Sequence, residues 1–353
     1  MSGSGNGAEH LRLYANNRNQ LQLRSKQQAG NSLEQVRFRY DNEGNQTEKA
    51  EVSKQNGNLI ASNTLTFSYN GFNQLANVTD SDNNLTVYTY NAQGLRTSKH
   101  KANDGTTTKY YYDGSANIIL ETTAENAVTA KNVRGFHLIS RENAGAEPFY
   151  YLFNAHGDVT KLTDELGNVI KDYNYDPFGN EKSSELNPLG GNLSISLWQT
   201  EAAAIDNPFR YCGEYLDFET NNYYLRARYY DPAIERFLSE DTYTGQVTDP
   251  LSLNFYIYCK NNPIIFVDAS GYDPVPIWVK NINAGKGTEA DYNEAFKVYE
   301  KGSASAWAGT ARFAVDKAID KTLDIMYADR LPKTGEPNSV RKIYNPDGTV
   351  KQE

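Results

Sequence analysis

The chain has 353 residues, with 35 Lys+Arg against 44 Asp+Glu and a formal charge of −9. That balance gives the bulk of the chain no electrostatic invitation to nucleic acid or to an anionic membrane surface. Two cysteines, Cys212 and Cys259, are too few for a disulfide framework and read as buried thiols in preference to an optional bridge. With no apolar run of about 18 residues, no membrane span is expected.

Mean hydropathy is −0.70, yet the chain carries 26 Tyr and 14 Phe. Disordered chains are poor in aromatics. Aromatics in a polar chain instead favour strands, where a ring packs on the pleated face while its hydroxyl stays wet. The opening Met1-Ser2-Gly3-Ser4-Gly5-Asn6-Gly7 lacks the charged and apolar regions of a secretory signal. Residues 1–30 are therefore expected to be a lead-in, partly disordered, with any export signal elsewhere or upstream.

From residue 31 to 204 an internal repeat dominates. The unit is an alternating strand ending in Tyr or Phe, then Asp or Asn, two variable residues, Gly, and a polar residue that opens the return strand. It appears at Tyr40–Asn45, Tyr90–Leu95, Phe153–Asp158 and Tyr175–Asn180; Thr163–Asn168 has the turn without the ring, and Tyr69–Asn73 has Asn for the last Gly. Asp or Asn bonds its own backbone at the head of a turn, and Gly accepts the left-handed conformation that closes it. Flanking runs such as Leu65–Tyr69 and Thr86–Tyr90 alternate with period two. The fold class predicted is mainly β. Successive hairpins add to one sheet that curls into a partial shell, since a lone hairpin is marginal in water and six or so repeats are few for a full cage.

From about Tyr211 to Tyr272 the chain becomes dense in aromatic and charged residues, and then its texture changes. Residues 273–353 hold 12 Lys+Arg and 12 Asp+Glu, so the acidic excess lies wholly upstream. Glu289 to Glu300 carries Tyr292, Ala295, Phe296 and Tyr299 at helical spacing. Ser303 reads as the N-cap of a second helix, with Trp307, Ala311, Val315, Ala318 and Met326 along one face and Leu331-Pro332 as its stop. Val340 to Val350 reads as a hairpin around Asn345-Pro346-Asp347-Gly348. The abrupt stop at Lys351-Gln352-Glu353 implies a truncated region.

The specific motifs lie in 205–272. They are Phe209-Arg210-Tyr211-Cys212-Gly213-Glu214-Tyr215, then Tyr224-Leu225-Arg226-Ala227-Arg228-Tyr229-Tyr230-Asp231-Pro232, then Arg236-Phe237-Leu238-Ser239-Glu240-Asp241. Leu253-Asn254-Phe255-Tyr256-Ile257-Tyr258-Cys259-Lys260-Asn261-Asn262-Pro263 and Val267-Asp268-Ala269-Ser270-Gly271 complete the set. This segment resembles the RHS-repeat-associated core domain of RHS/YD-repeat proteins, in the form found in Gram-positive bacteria, and the upstream repeats look like its YD repeats. The resemblance covers roughly residues 31–272.

That resemblance implies a shell of YD repeats plugged by the core at 205–272, with a variable toxin, here the mostly helical passenger 273–353, enclosed. It also implies an aspartic autoprotease in the core that frees the passenger. By position its catalytic residues are Asp241 and Asp268, with Arg228 as the orienting or stabilising cation, and the cleavage site is Gly271-Tyr272-Asp273, cut after Tyr272. Metal-free peptide hydrolysis fits two such carboxylates, one activating water and the other protonating the leaving group. The sequence departs from the family pattern at Thr242, Ala269 and Tyr272, and the spacing from Asp241 to Asp268 is four residues longer than the common one. Asp249-Pro250 is a rival for the first carboxylate, at the wrong distance from Arg228. The implied partners are the passenger itself and an immunity protein for it, and the implied location is secreted or cell-surface.

Blander readings stand beside these. An Asp after a strand is most often a turn residue, which is how Asp231 reads before Pro232. Arg228 has Arg226 two positions earlier on the same strand face, so it also fits simple pairing or ring stacking. Tyr-rich strands serve packing more often than sugar binding, but an adhesive β-repeat protein that contacts glycans or neighbouring cells is the alternative function, and an inactive remnant a third. His10, His100, His137 and His156 make no ligand spacing, so no metal or cofactor is expected. With no His or Cys in 273–353, a His-metal nuclease or Cys-His hydrolase is not complete there.

Overall fold

The computed structural model describes residues 10–27, 33–55, 58–135, 137–182, 205–245, 247, 249–272, 274–283, 285, 287–300 and 309–326. Fifteen strands, β1 (His10–Ala15) to β15 (Val169–Asp172), follow one another in chain order across one sheet, each hydrogen-bonded to the next. The pairing is antiparallel throughout, so the fold is mainly β, as the repeat predicts. The sheet is open, with β1 and β15 as its edges. Its first two strands, β1 and β2 (Leu21–Gln27), lie ahead of residue 31, in the stretch expected as a lead-in.

The hairpins share one turn. The head residue's N–H donates to the carbonyl four residues on, and the N–H of the fourth turn residue donates back to the head carbonyl. Among the described residues up to 182 this pattern is headed by Asn16, Asp41, Asn70, Asp80, Asn91, Asp113, Thr123, Asn154, Asp164 and Asp176. The fourth residue has positive φ in every case: Gly at 44, 94, 157, 167 and 179, Asn at 19, 73, 83 and 126, and Ala at 116. A head carboxylate or amide locks the turn, as where Asp113 Oδ1 accepts the N–H groups of Ser115 and Asn117 at 2.8 and 2.9 Å. The ladder register shifts beside these turns, which is the bulge such loops require.

The Tyr that precedes the turn bridges hairpins. Tyr69, Tyr90 and Tyr112 donate their hydroxyls to the carbonyls of Gln46, Leu75 and Arg96, each on the return strand of a preceding hairpin, at 3.0, 2.7 and 2.7 Å. A phenol supplies both the ring for the sheet face and a donor for a carbonyl outside the ladder, which explains Tyr over Phe at that position.

The core segment forms a second sheet, β16 (Tyr215–Asp217), β17 (Asn222–Leu225), β18 (Arg228–Asp231) and β19 (Arg236–Phe237). Its Tyr215, Tyr224, Tyr229 and Leu238 share one apolar core with Phe67, Leu75, Tyr88, Tyr110, Val159 and Leu162 of the repeat sheet. At the centre of this contact Arg96 is fully buried, paired with the equally buried Asp217, and its guanidinium lies 4.4 and 4.7 Å from the ring centroids of Tyr224 and Tyr110. Lys99 adds a second cation 3.0 Å from Asp217. A buried carboxylate is tolerated because two cations and a cage of π faces surround it.

The described structure divides into two compact units, Met1–Ile264 with Asp268–Tyr272, and Ile265–Val267 with Asp273–Glu353. The second holds a short ribbon, β20 (Phe266–Val267) with β21 (Val275–Pro276), and three helices, α1 (Ile277–Asn283), α2 (Glu289–Glu300) and α3 (Gly309–Met326). Val279, Ile282, Ala295, Val315, Ala318 and Ile319 make its core. Helix α2 has the span read from the sequence and begins with a reciprocal cap. Asp291 N–H donates to Thr288 Oγ1 at 3.2 Å, and Thr288 N–H to Asp291 Oδ2 at 2.8 Å. Val315 and Ala318 are buried as expected for the second helix. Ser303, Trp307, Leu331-Pro332 and the hairpin read at 340–350 lie outside the described residues.

Candidate active site

Arg228 opens β18 immediately after the two-residue turn Arg226-Ala227, so its side chain leaves a fixed point of the hairpin. Its guanidinium Cζ sits 3.7 Å from the Phe237 ring centroid, and Nη1 donates to the Phe255 carbonyl at 3.2 Å. The remaining donors face the end of the core. Nε donates to the Gly271 carbonyl, and Nη2 donates to the Tyr272 carbonyl at 3.1 Å. Nη2 also lies 2.7 Å from Asp241 Oδ2 and 3.8 Å from Asp268 Oδ2. Because both carboxylate oxygens lie against one nitrogen, they are no more than about 6.5 Å apart.

The two carboxylates differ in environment. Asp241 keeps a side-chain exposure of 16%. It is pinned through its backbone N–H to the Phe255 carbonyl and through Oδ1, which accepts the Tyr243 N–H, both at 2.9 Å. Asp268 is buried. Its Oδ1 accepts three donors, Ser270 N–H and Ser270 Oγ at 3.2 Å and Gly271 N–H at 2.8 Å. Its Oδ2 has no hydrogen-bond partner among the described residues. Burial pushes this carboxyl above its ordinary range, against the pull of Arg228, the Gly271 N–H and Ser270. The two carboxylates therefore face the same guanidinium from different environments, Asp241 partly exposed and Asp268 buried with its protonated form favoured by that burial.

The segment 268–272 is laid against the β17–β18 turn. Ala227 N–H donates to the Ser270 carbonyl at 3.2 Å. Gly271 has φ +72, and a Cβ there would stand 2.5 Å from the Leu225 carbonyl oxygen and 2.9 Å from the Arg228 nitrogen. Only glycine allows both the conformation and the approach. Tyr272 therefore presents its carbonyl to Arg228 while the residue itself stays 46% exposed.

The residues carried over from the family pattern thus lie together: Arg228, Asp241, Asp268, Gly271 and Tyr272 occupy one place, and Asp273 lies outside the described residues. The rival Asp249 is elsewhere, its Oδ2 2.9 Å from Lys260 Nζ. Asp231 caps the Ala233 N–H and pairs with Lys49 at 2.5 Å, the structural place expected for it. Sequence reasoning passed over Ser270 and treated Arg226 only as a neighbour of Arg228. The signal for Arg226 was its turn position, where a two-residue hairpin calls for Gly or Asn.

One group of potential metal ligands forms that spacing did not reveal. His156 Nδ1 lies 2.8 Å from Asp158 Oδ1 and 3.7 Å from Cys212 Sγ. The ring's Nε2 lies 2.6 Å from the Pro263 carbonyl oxygen, and Cys212 N–H donates to Asp158 at 2.9 Å. With an acceptor beside each ring nitrogen, the set fits a doubly protonated imidazole. Burial works against that charge, but the hydrogen bonds to Asp158 and Cys212 outweigh it and carry the His156 pKa up to about 10.

Ten hairpins of one design, closed on a four-stranded Tyr-rich core, define a YD-repeat shell protein. The family model for the Teneurin YD-shell matches residues 13–264, and the chain belongs to that family. The tRNA3(Ser)-specific nuclease WapA of Bacillus spizizenii is 34% identical over 83% of this chain and 12% of its own length. The tRNA(Glu)-specific nuclease WapA of Bacillus subtilis subsp. natto is 34% identical over 73% of this chain and 10% of its own. The solved complex TcdB2-TccC3-Cdc42 aligns with 79% of this chain and 16% of that one, at 19% identity and a TM-score of 0.42. The chain thus spans about a tenth of the length of the curated relatives it matches.

Proposed function

We propose that this chain is the shell-and-release module of a secreted bacterial toxin, in which the β-repeat scaffold encloses the C-terminal passenger and an aspartic autoprotease in the core cuts it free at the Tyr272–Asp273 bond. The observation that carries the reading is the grip of a single guanidinium on the Tyr272 carbonyl oxygen and on Asp241, with Asp268 beside it.

The chemistry follows from the environments. Arg228 polarises the Tyr272 carbonyl and stabilises the oxyanion that forms when water adds to its carbon. Asp241, ion-paired and partly exposed, takes the proton from the attacking water. Asp268, the buried and protonated partner, gives its proton to the departing amine of Asp273 as the C–N bond breaks. The products are a carboxylic acid at Tyr272, which then ionises to solvent, and a free amine at Asp273, and one proton has moved from Asp268 to the amine while another has moved from water to Asp241. The reaction is a single event, because the substrate is tethered to its own catalyst and is held ready for attack by the fold.

The Bacillus relatives are named as tRNA-specific nucleases, and by that likeness the passenger's target would be RNA. The ring positions of the repeat favour the shell over the adhesive alternative. Tyr88, Tyr110 and Tyr151 are buried in the sheet–core contact, where no glycan could stack. The test is a denaturing gel of freshly translated chain. Wild type should convert to two pieces, while Asp268→Asn and Asp241→Asn each remain one. A wild-type chain that stays whole from pH 4 to 8 would remove the protease.

A further inference from the structure

Arg226 occupies the first position of the β17–β18 turn with φ +64. That conformation is sparsely populated for a residue with a Cβ, and a two-residue hairpin turn normally places Gly or Asn in it. An arginine held there at a cost in backbone strain should be using its side chain. Its guanidinium reaches three separate parts of the molecule. Nη1 donates to the carbonyl of Ala269, one residue past Asp268 and three before the Tyr272 carbonyl, at 2.5 Å, and to Glu214 Oε2 of the core at 2.6 Å. Nε donates to the carbonyl of Ala116 at 3.1 Å, in the turn between β9 (Thr107–Tyr112) and β10 (Ile118–Thr122) of the repeat sheet. Nη2 lies 3.4 Å from Asn117 Oδ1 in the same turn.

We propose that Arg226 is a positioning residue for self-cleavage, holding the segment that leads to the cleavable bond in place and making that placement depend on the docked β9–β10 turn of the repeat sheet. This rests on the autoprotease reading above and adds to it a residue that touches neither reacting carboxylate nor the Tyr272 carbonyl. The segment 268–272 is fixed against the turn through four backbone carbonyls. Ser270 is held by the Ala227 N–H, Gly271 and Tyr272 by Arg228, and Ala269 by Arg226. The tie through Arg226 also reaches the sheet, at Ala116 and Asn117. A segment released at Ala269 loses one of its ties to the turn, which lets the Tyr272 carbonyl shift relative to Arg228 and Asp241. Cleavage then responds to the shell: until the β9–β10 turn seats on the core, Arg226 lacks its contacts to Ala116 and Asn117 and holds Ala269 less firmly.

The experiment uses the full chain in cell-free translation, with the cut followed over time on a denaturing gel. Arg226→Gly is the informative variant, because glycine suits φ +64 and relieves the turn while deleting the clamp. Its cutting rate should fall about 100-fold, the scale set by misplacing a reacting group by about 1 Å. Its melting temperature should fall, because Glu214 loses this partner, while millimolar guanidinium, but not sodium at equal ionic strength, should restore part of the cutting rate. A paired comparison reads the sheet arm. Asp113→Ala and Asp164→Ala remove the head of the same kind of turn, but only the first turn touches Arg226, so only Asp113→Ala should slow cutting. Equal rates for Arg226→Gly and wild type, or equal slowing by the two turn variants, would overturn the proposal while leaving the autoprotease standing. If Arg226→Gly fails to fold, the turn pair decides alone. An uncut wild type ends both readings.

Discussion

Gly271→Ala converts one contact into a measurement of how tightly the segment before the cleavable bond must be held. The added Cβ would meet the Leu225 carbonyl oxygen at 2.5 Å and the Arg228 nitrogen at 2.9 Å, both backbone atoms that no rotamer change can clear. Ordinary contact begins near 3.4 Å, so the strand must retreat by close to 1 Å. The residue must also be kept at φ +72, where a side chain costs about 1 kcal/mol. The retreat lengthens the hydrogen bonds from Arg228 to the Gly271 and Tyr272 carbonyls and draws Tyr272 away from Asp241. A displacement of about 1 Å at a reacting centre lowers a rate about 100-fold, while the stability loss stays within about 1–3 kcal/mol. The assay is a time course of cell-free translated chain on a denaturing gel, paired with a urea melt of the uncut Asp268→Asn background with and without Gly271→Ala. A Gly271→Ala chain that cuts at the wild-type rate would refute the claim that this close approach sets the geometry of the bond.

Three other outcomes follow from the same structure. If Asp268 must carry the proton that reaches the leaving amine, the cutting rate falls as pH rises through its elevated pKa, with a midpoint above the ordinary Asp value of about 3.9. The corresponding stability contribution is complete below that ordinary value and is lost through the same rise, and a rate that climbs from pH 4 to 8 would contradict it. His156→Gln should destabilise the fold by about 2 kcal/mol at pH 6, the worth of a charge-assisted hydrogen bond. His156 is raised to about 10, so its contribution is present below about 6.5 and lost as pH rises through about 10, and the gap from wild type in urea melts should shrink over that window. Ala116→Gly should raise stability by about 1 kcal/mol, because Ala116 is held at φ +60 in a turn whose sister positions are Gly or Asn; an unchanged denaturation midpoint would count against the strain.

The repeat was legible because its turn chemistry is local. Asp or Asn at the head and Gly three residues on announce one loop wherever they recur, and the turns headed by Asp41, Asn91, Asn154, Asp164 and Asp176 stand where that pattern puts them. The turns at 80–84, 113–117 and 123–127 escaped because Asn or Ala takes the left-handed position, and Thr122 or Thr79 stands where the pattern expects a ring. Strands β1 and β2 escaped because polar composition and a glycine-rich start hid a turn headed by Asn16. Helix α2 was readable from its spacing, whereas α1, with two turns and a preceding Pro, was too short to leave a period. At the site, Arg228, Asp241 and Asp268 came from motif position alone. What no spacing could show is the asymmetry between the two acids, since the three donors on Asp268 Oδ1 come from a turn that exists only once the strand is laid down. The cluster of His156, Asp158 and Cys212 was invisible for the same reason, with Cys212 arriving from 56 residues away.

The most direct test of the central claim is the intact mass of freshly made wild-type chain, with the released piece sequenced from its amino end. Cleavage at the bond held by Arg228 predicts two masses that sum to the whole plus one water, and a second piece that begins Asp273-Pro274-Val275. A single mass equal to the full chain, or a second piece that begins at any other residue, would show that the Tyr272 carbonyl is held for packing and not for hydrolysis.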